Sequence, residues 1–141
     1  MIRSLTRLQP WALTLLRLAL GVSMLVHGWE KLIPPGGLHR SHPLAGIEAF
    51  NHFVATLGLP YWLGYVSVVT EFVGGAFLVV GLLTRFWAFM VFGNMLVALW
   101  KVNLHHGYAG SEYTLALITM ALVLVVAGSG ALALDRRFGI S

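Results

Sequence analysis

Long apolar runs alternate with short polar ones along the chain, and four of the apolar runs are long enough to cross a bilayer. A membrane-crossing helix needs about 20 mostly apolar residues. Residues 11–29, 61–83, 86–104 and 113–134 meet that requirement. The first contains Arg17 and ends beside His27, Glu30 and Lys31; the second carries Glu71 alone; the third holds Asn94 and closes near Lys101; the fourth has no charge before its end. Aromatic residues (Trp11, Trp29, Tyr61, Trp62, Phe86, Trp87, Trp100, Tyr113) sit at the ends of these runs, where amphipathic rings prefer the membrane interface. The expected fold is all-α: an integral membrane four-helix bundle forming one domain over residues 1–141.

Two of the connections are short. The longest, Lys31 to Pro60, opens with Pro34-Pro35-Gly36-Gly37, which ends the first helix. Beyond it Ile47, Phe50, Phe53, Val54 and Leu57 recur at helical spacing, with Glu48, Asn51 and His52 on other faces. That pattern predicts a short amphipathic helix lying on the membrane surface or capping the bundle, ended by Gly58 and Pro60.

Composition supports a bilayer and removes several chemistries. Hydrophobic residues make up 58% of the 141 positions and charged residues 10%, with mean hydropathy +0.83. Soluble domains carry about 25% charged residues. The net charge of +4 is spread over single Lys and Arg residues at the ends of apolar runs, so a nucleic-acid partner is not expected. There is no cysteine, which removes thiol–disulfide exchange and thiolate ligation from this chain. Arg3, Arg7, Arg85, Arg136 and Arg137 fall on one side of the four runs, and Lys31, Arg40 and Lys101 on the other. The positive-inside rule then places both termini in the cytoplasm. Arg17 interrupts the first apolar run and no small-residue cleavage site follows, so that run is read as a retained helix rather than a signal peptide.

Charges within hydrocarbon face the bundle interior and look for partners. Counted at about 1.5 Å per residue, Arg17, Glu71 and Asn94 lie at depths that a long guanidinium stem could bridge. Two readings follow: a structural ion pair, or a polar pocket that binds a headgroup such as a quinone's, with Glu71 accepting a proton and Arg17 as its electrostatic partner. All six histidines fall toward the other side from the arginines. His27 and the pair His105-His106 are the candidates for a metal or a haem, yet an interfacial histidine is more often simply a tolerated polar residue, so neither cofactor is expected. The glycines of the first three runs let helices approach closely.

Several segments resemble one family. Arg17-Leu-Ala-Leu-Gly21 followed by His27-Gly28-Trp29-Glu30-Lys31-Leu32 is similar to the first-helix signature of DoxX-type membrane proteins. Glu71-Phe-Val-Gly74-Gly75, continuing to Gly81-Leu-Leu-Thr84-Arg85, resembles their second-helix signature, and Gly128-Ser129-Gly130 before Asp135 is similar as well. The resemblance implies a four-helix inner-membrane protein linked to quinone handling or oxidative stress, often beside a soluble redox partner. It emphasises Arg17, His27, Lys31, Glu71 and Arg85. Two functions follow as expectations. One is a quinone- or quinol-binding redox protein, with Glu71 and Arg17 as the reacting pair and His27, Lys31, Asn94 and Arg85 as ligand contacts. The other is a non-catalytic anchor or scaffold for a redox complex. A transporter is less expected because the chain is short and has no internal repeat; a homo-oligomer is open.

Overall fold

The computed structural model describes residues 6–33 and 44–140, and the described part is helical throughout. Helix α1 spans Gln9–Leu32, α2 Ala45–Thr56, α3 Leu63–Val80, α4 Thr84–Ala98, α5 Gly107–Ala127 and α6 Leu134–Phe138. Between α4 and α5 the chain runs through a π-helical stretch, Leu99–Asn103, and a 3-10 turn, Leu104–His106. Three helical runs are long and apolar enough to cross a membrane: Gln9–Leu32, Leu63–Val80 and Thr84–Ala127. The third doubles back on itself. Gly107 takes φ +73°, and α5 then packs along α4 in the opposite direction.

The long helices α1, α3, α4 and α5 close into a ring in which each packs against its neighbours: α1 on α3, α3 on α4, α4 on α5 and α5 on α1. The centre is a cluster of Leu20, Met24, Leu78, Ala88, Val91, Met95, Leu117, Ala121 and Leu124. Outside it, large apolar side chains such as Leu15, Val26, Val69, Phe86, Phe89, Leu122 and Val126 are exposed. An apolar exterior of this extent is stable only where lipid surrounds it. Helices α1 and α3 touch most closely. A β-carbon on Gly28 would stand 2.6 Å from the Phe72 backbone nitrogen, and one on Gly75 2.7 Å from that of Leu25, so side chains at these positions would force the helices apart.

Three expectations from the hydropathy pattern are corrected. The fourth apolar run, expected over 113–134, is helical over Gly107–Ala127. It starts early because Ser111 anchors the polar first turn by donating to the carbonyl oxygens of Asn103 and Gly107. It stops early because Gly128 (φ +86°) and Gly130 (φ +84°) turn the chain back over the end of the bundle. The predicted third span, 86–104, is helix only to Ala98 before the π-helical stretch. The predicted amphipathic helix is present as α2, packed on α1 and α3. Asn51, however, expected on a different face from the apolar residues, is 0% exposed. It shares the inner face with Ile47 and Val54, and it fits because Gly64 of α3 opposite has no side chain.

Candidate ligand pocket

The buried polar residues form two separate centres at opposite ends of the ring. Near the end that carries α2, Glu71 of α3 is 2% exposed and accepts three hydrogen bonds on Oε1: from Lys31 Nζ at 2.7 Å, from Asn94 Nδ2 at 2.8 Å and from Ser67 Oγ at 3.4 Å. Lys31 Nζ also donates to Ser67 Oγ (3.2 Å) and lies 4.1 Å from the centre of the Phe50 ring. Its distance to Glu71 Oε2 is 2.6 Å, so the ammonium sits between the two carboxylate oxygens, and Oε1 also takes the hydrogen bonds from Asn94 and Ser67.

Three helices and α2 assemble this centre. Ser67 and Glu71 stand one turn apart on one face of α3, Asn94 projects from α4, and Lys31 reaches in from the last turn of α1. The α2 helix then roofs it with Phe50, Phe53 and Val54. What is enclosed is a cavity of about 420 Å³, within the range of small-molecule sites. Its walls are apolar (Leu57, Leu63, Met90 and Val97 among them), with Lys31, Ser67, Glu71 and Asn94 gathered at one place and Lys101 at another. Val66, Phe89 and Val97 belong both to the wall and to the exposed outer surface, so the cavity reaches the face that lipid covers.

At the opposite end, Arg17 is also 2% exposed, but it does not meet Glu71. Its Nη1 donates to the carbonyl oxygen of Ser129 at 3.1 Å and its Nη2 to that of Leu132, both on the segment returning from α5. Asp135 supplies the opposite charge, and its carboxylate accepts from the backbone nitrogens of Leu83 (2.6 Å) and Thr84 (2.8 Å). Those are orphan donors at the start of α4, whose first residues offer no side-chain cap of their own. Gly81, at φ +73°, makes room: a β-carbon there would overlap the Arg17 guanidinium. Thr14 completes the knot by accepting from Ala131 N at 2.9 Å.

The expected pairing of Arg17 with Glu71 is thus overturned. Depth alone allowed it, but each residue has a nearer partner: Lys31 for Glu71, and a run of carbonyl groups with Asp135 for Arg17. Asn94 does meet Glu71 as its depth allowed, and Lys31, expected as an outer-side contact, is the ion-pair partner of Glu71. Arg85 is exposed near Gly128 at the Arg17 end, far along the bundle from the cavity, so it is not a contact of this pocket. His27 also faces elsewhere: its ring stacks at 5.6 Å on Tyr113 of α5. His105 and His106 are exposed on the 3-10 turn, and among the described residues no group of three or more His, Asp or Glu stands close enough to hold a metal. His39 and His42 lie outside the described residues. Ser67 and Lys101 were missed as pocket residues. The four-residue spacing of Ser67 to Glu71, and the seven-residue spacing of Asn94 to Lys101, were the signals that could have found them.

The family model of DoxX matches residues 12–104, which contain Lys31, Glu71, Asn94 and Lys101. The chain belongs to the DoxX family. Among curated proteins, this DoxX chain is 30% identical over 122 residues to "Putative oxidoreductase CatD" of Bacillus subtilis (strain 168), an alignment covering 86% of this chain and 82% of the relative. No solved structure matches it significantly. Family and relative together describe a redox-associated membrane protein.

Proposed function

We propose that this chain binds a quinone or quinol in the α2-roofed cavity and works in a membrane electron-transfer or oxidative-stress system. One observation carries the reading: a buried carboxylate, Glu71, lines an apolar cavity together with Lys31, Ser67 and Asn94. A hydrogen bond from a ligand hydroxyl to a carboxylate contributes about 1.5–3 kcal/mol. Lys31 Nζ and Asn94 Nδ2 stand beside it as donors for a carbonyl oxygen, so one edge of the site can give a hydrogen bond and the other accept one. A quinol hydroxyl does both at one oxygen, and the carbonyl oxygen it becomes on oxidation accepts from the same donors. A bound quinone would supply the two-electron couple, and the residues of this chain would orient it, exclude water and hold a proton on Glu71. Electrons would pass to or from a soluble or membrane redox partner. The apolar walls reaching the lipid face suit a ligand that arrives from the bilayer.

In this reading the four long helical legs are four passes through the inner membrane. Arg7, Arg85, Arg136 and Arg137 are all exposed, at the end where the positive-inside rule puts the cytoplasm. The same exposed basic end favours the second reading, an anchor or scaffold on which an acidic soluble partner docks; cross-linking in intact membranes that recovered no partner would count against it.

The test of the first reading is quinone content and quinone binding. Purified wild-type protein should retain quinone on extraction, and a short-tailed quinone analogue should quench the tryptophan fluorescence saturably. Glu71→Gln should weaken that binding. If the wild type binds no analogue, or Glu71→Gln binds it unchanged, the reading is wrong.

A further inference from the structure

The cavity has a second cation that the quinone reading does not use. Lys31 is neutralised by Glu71, but among the described residues Lys101 has no carboxylate within ion-pair reach; its ammonium lies only over the Trp100 ring, at 4.5 Å. Lys101 is half-exposed, and its charge has no counter-ion among the described side chains. Lys101 nevertheless lines the cavity, with Val97, Ala98 and Val102 of the same leg beside it.

Its position is also fixed. Lys101 sits on the π-helical stretch Leu99–Asn103, a rare conformation that concentrates at functional sites. That stretch is latched to α5, where Asn103 donates to Thr114 Oγ1 at 2.6 Å and its carbonyl oxygen accepts from Ser111 Oγ at 3.0 Å. Asn94 and Lys101 are seven residues apart on one leg, about 10 Å along its axis. The cavity therefore has two polar poles with an apolar stretch between them: one closed on itself, at Lys31 and Glu71, and one carrying an uncompensated positive charge.

We infer that the cavity takes an anionic, single-chain amphiphile, a long-chain carboxylate, with its headgroup on Lys101 and its hydrocarbon chain along the walls formed by Phe53, Val66, Phe89 and Met90. The carboxylate supplies the charge that Lys101 lacks, and the lipid-facing part of the wall lets the chain enter from the bilayer. The inference stands on Lys101 and the walls, independent of whether a quinone occupies the other pole, and the two fail separately.

The experiment is photolabelling in nanodiscs of zwitterionic lipid. Two probes of equal chain length carry the same diazirine, one a palmitic acid and the other its alcohol; a diazirine-bearing phosphatidylglycerol serves as a third. Labelled positions are read by peptide mass spectrometry. The acid should label the cavity wall about tenfold more than the alcohol, the difference expected of one charge-assisted hydrogen bond. Lys101→Gln should bring the acid down to the level of the alcohol, and Lys101→Arg should keep the preference. Circular dichroism checks that each variant is folded. Equal labelling by acid and alcohol overturns the inference, as does a preference unchanged in folded Lys101→Gln. Stronger labelling by the phosphatidylglycerol than by the fatty acid overturns the single-chain assignment.

Discussion

The two buried charge centres of this bundle differ in how they are closed. Arg17 donates from Nη1 and Nη2 to main-chain carbonyl groups, and its counter-charge, Asp135, accepts with both oxygens from main-chain N–H groups. That centre is packed against backbone and does not border the cavity, and Gly81 fits so tightly that a single β-carbon would collide with the guanidinium. Glu71 and Lys31 bind each other and neighbouring side chains instead, and border a cavity of about 420 Å³. A buried ion pair by itself says little about function. What separates the two is their surroundings: the Arg17 centre is a structural clasp holding the end of α5 and the start of α4 to α1, and the Glu71 centre, open to a cavity, is the candidate site.

That contrast can be broken from either end. The largest effect is expected at Arg17. Arg17→Met strands two carbonyl groups and leaves Asp135 as a buried charge without its counterpart, so it should cost about 3–5 kcal/mol. Thermal unfolding in detergent reads this, and the fraction that remains folded should bind ligand at the pocket as the wild type does. Asp135→Ala uncaps α4 and also leaves Arg17 buried without its counter-charge, so a loss of the same size, about 3–5 kcal/mol, is expected; hydrogen exchange should show the uncapping at the amides of Leu83 and Thr84. Gly81→Ala forces a left-handed backbone on alanine and displaces the guanidinium, with an expected loss of about 1–3 kcal/mol by thermal unfolding. The smallest change in stability is expected at the other centre. Glu71→Gln keeps the shape of the side chain and should leave folding within about 1 kcal/mol, because Lys31 can turn toward the aqueous end of α1. It should nevertheless lower affinity for a quinone analogue about tenfold, the loss of one charge-assisted hydrogen bond. Should Arg17→Met abolish ligand binding in folded protein while Glu71→Gln leaves it untouched, the assignment of roles to the two centres is reversed.

Much of this was legible before any coordinates. Long apolar runs, few charges and interfacial aromatics lead to a helical membrane protein, and the run of Ile47, Phe50, Phe53 and Val54 leads to a short amphipathic helix; both are observed. The boundaries of α5 were not legible from hydropathy, because Gly128 and Gly130 stop it inside an apolar stretch by backbone conformation rather than by polarity. Asn51 was misjudged for a related reason: a polar side chain can sit on a buried face when the opposing residue is glycine, and that residue belongs to another helix. Among the candidate site residues, Glu71, Lys31 and Asn94 come together, whereas Arg17, Arg85 and His27 lie outside the pocket.

By itself the sequence determined the solvent and the helices: hydropathy sums along the chain, and no arrangement of these residues could give it a water-facing surface. It also determined that Arg17 and Glu71 must look inward, since lipid offers neither of them a partner. Only the tertiary structure decided which partner each one found. Depth along a helix can be counted from residue numbers, but the rotation of each helix about its axis, and the return of the chain after Gly128, depend on how four surfaces pack at once. That packing brought Lys31, a residue at the end of its helix, onto Glu71, and carried the carbonyl groups of Ser129 and Leu132 across the bundle to Arg17.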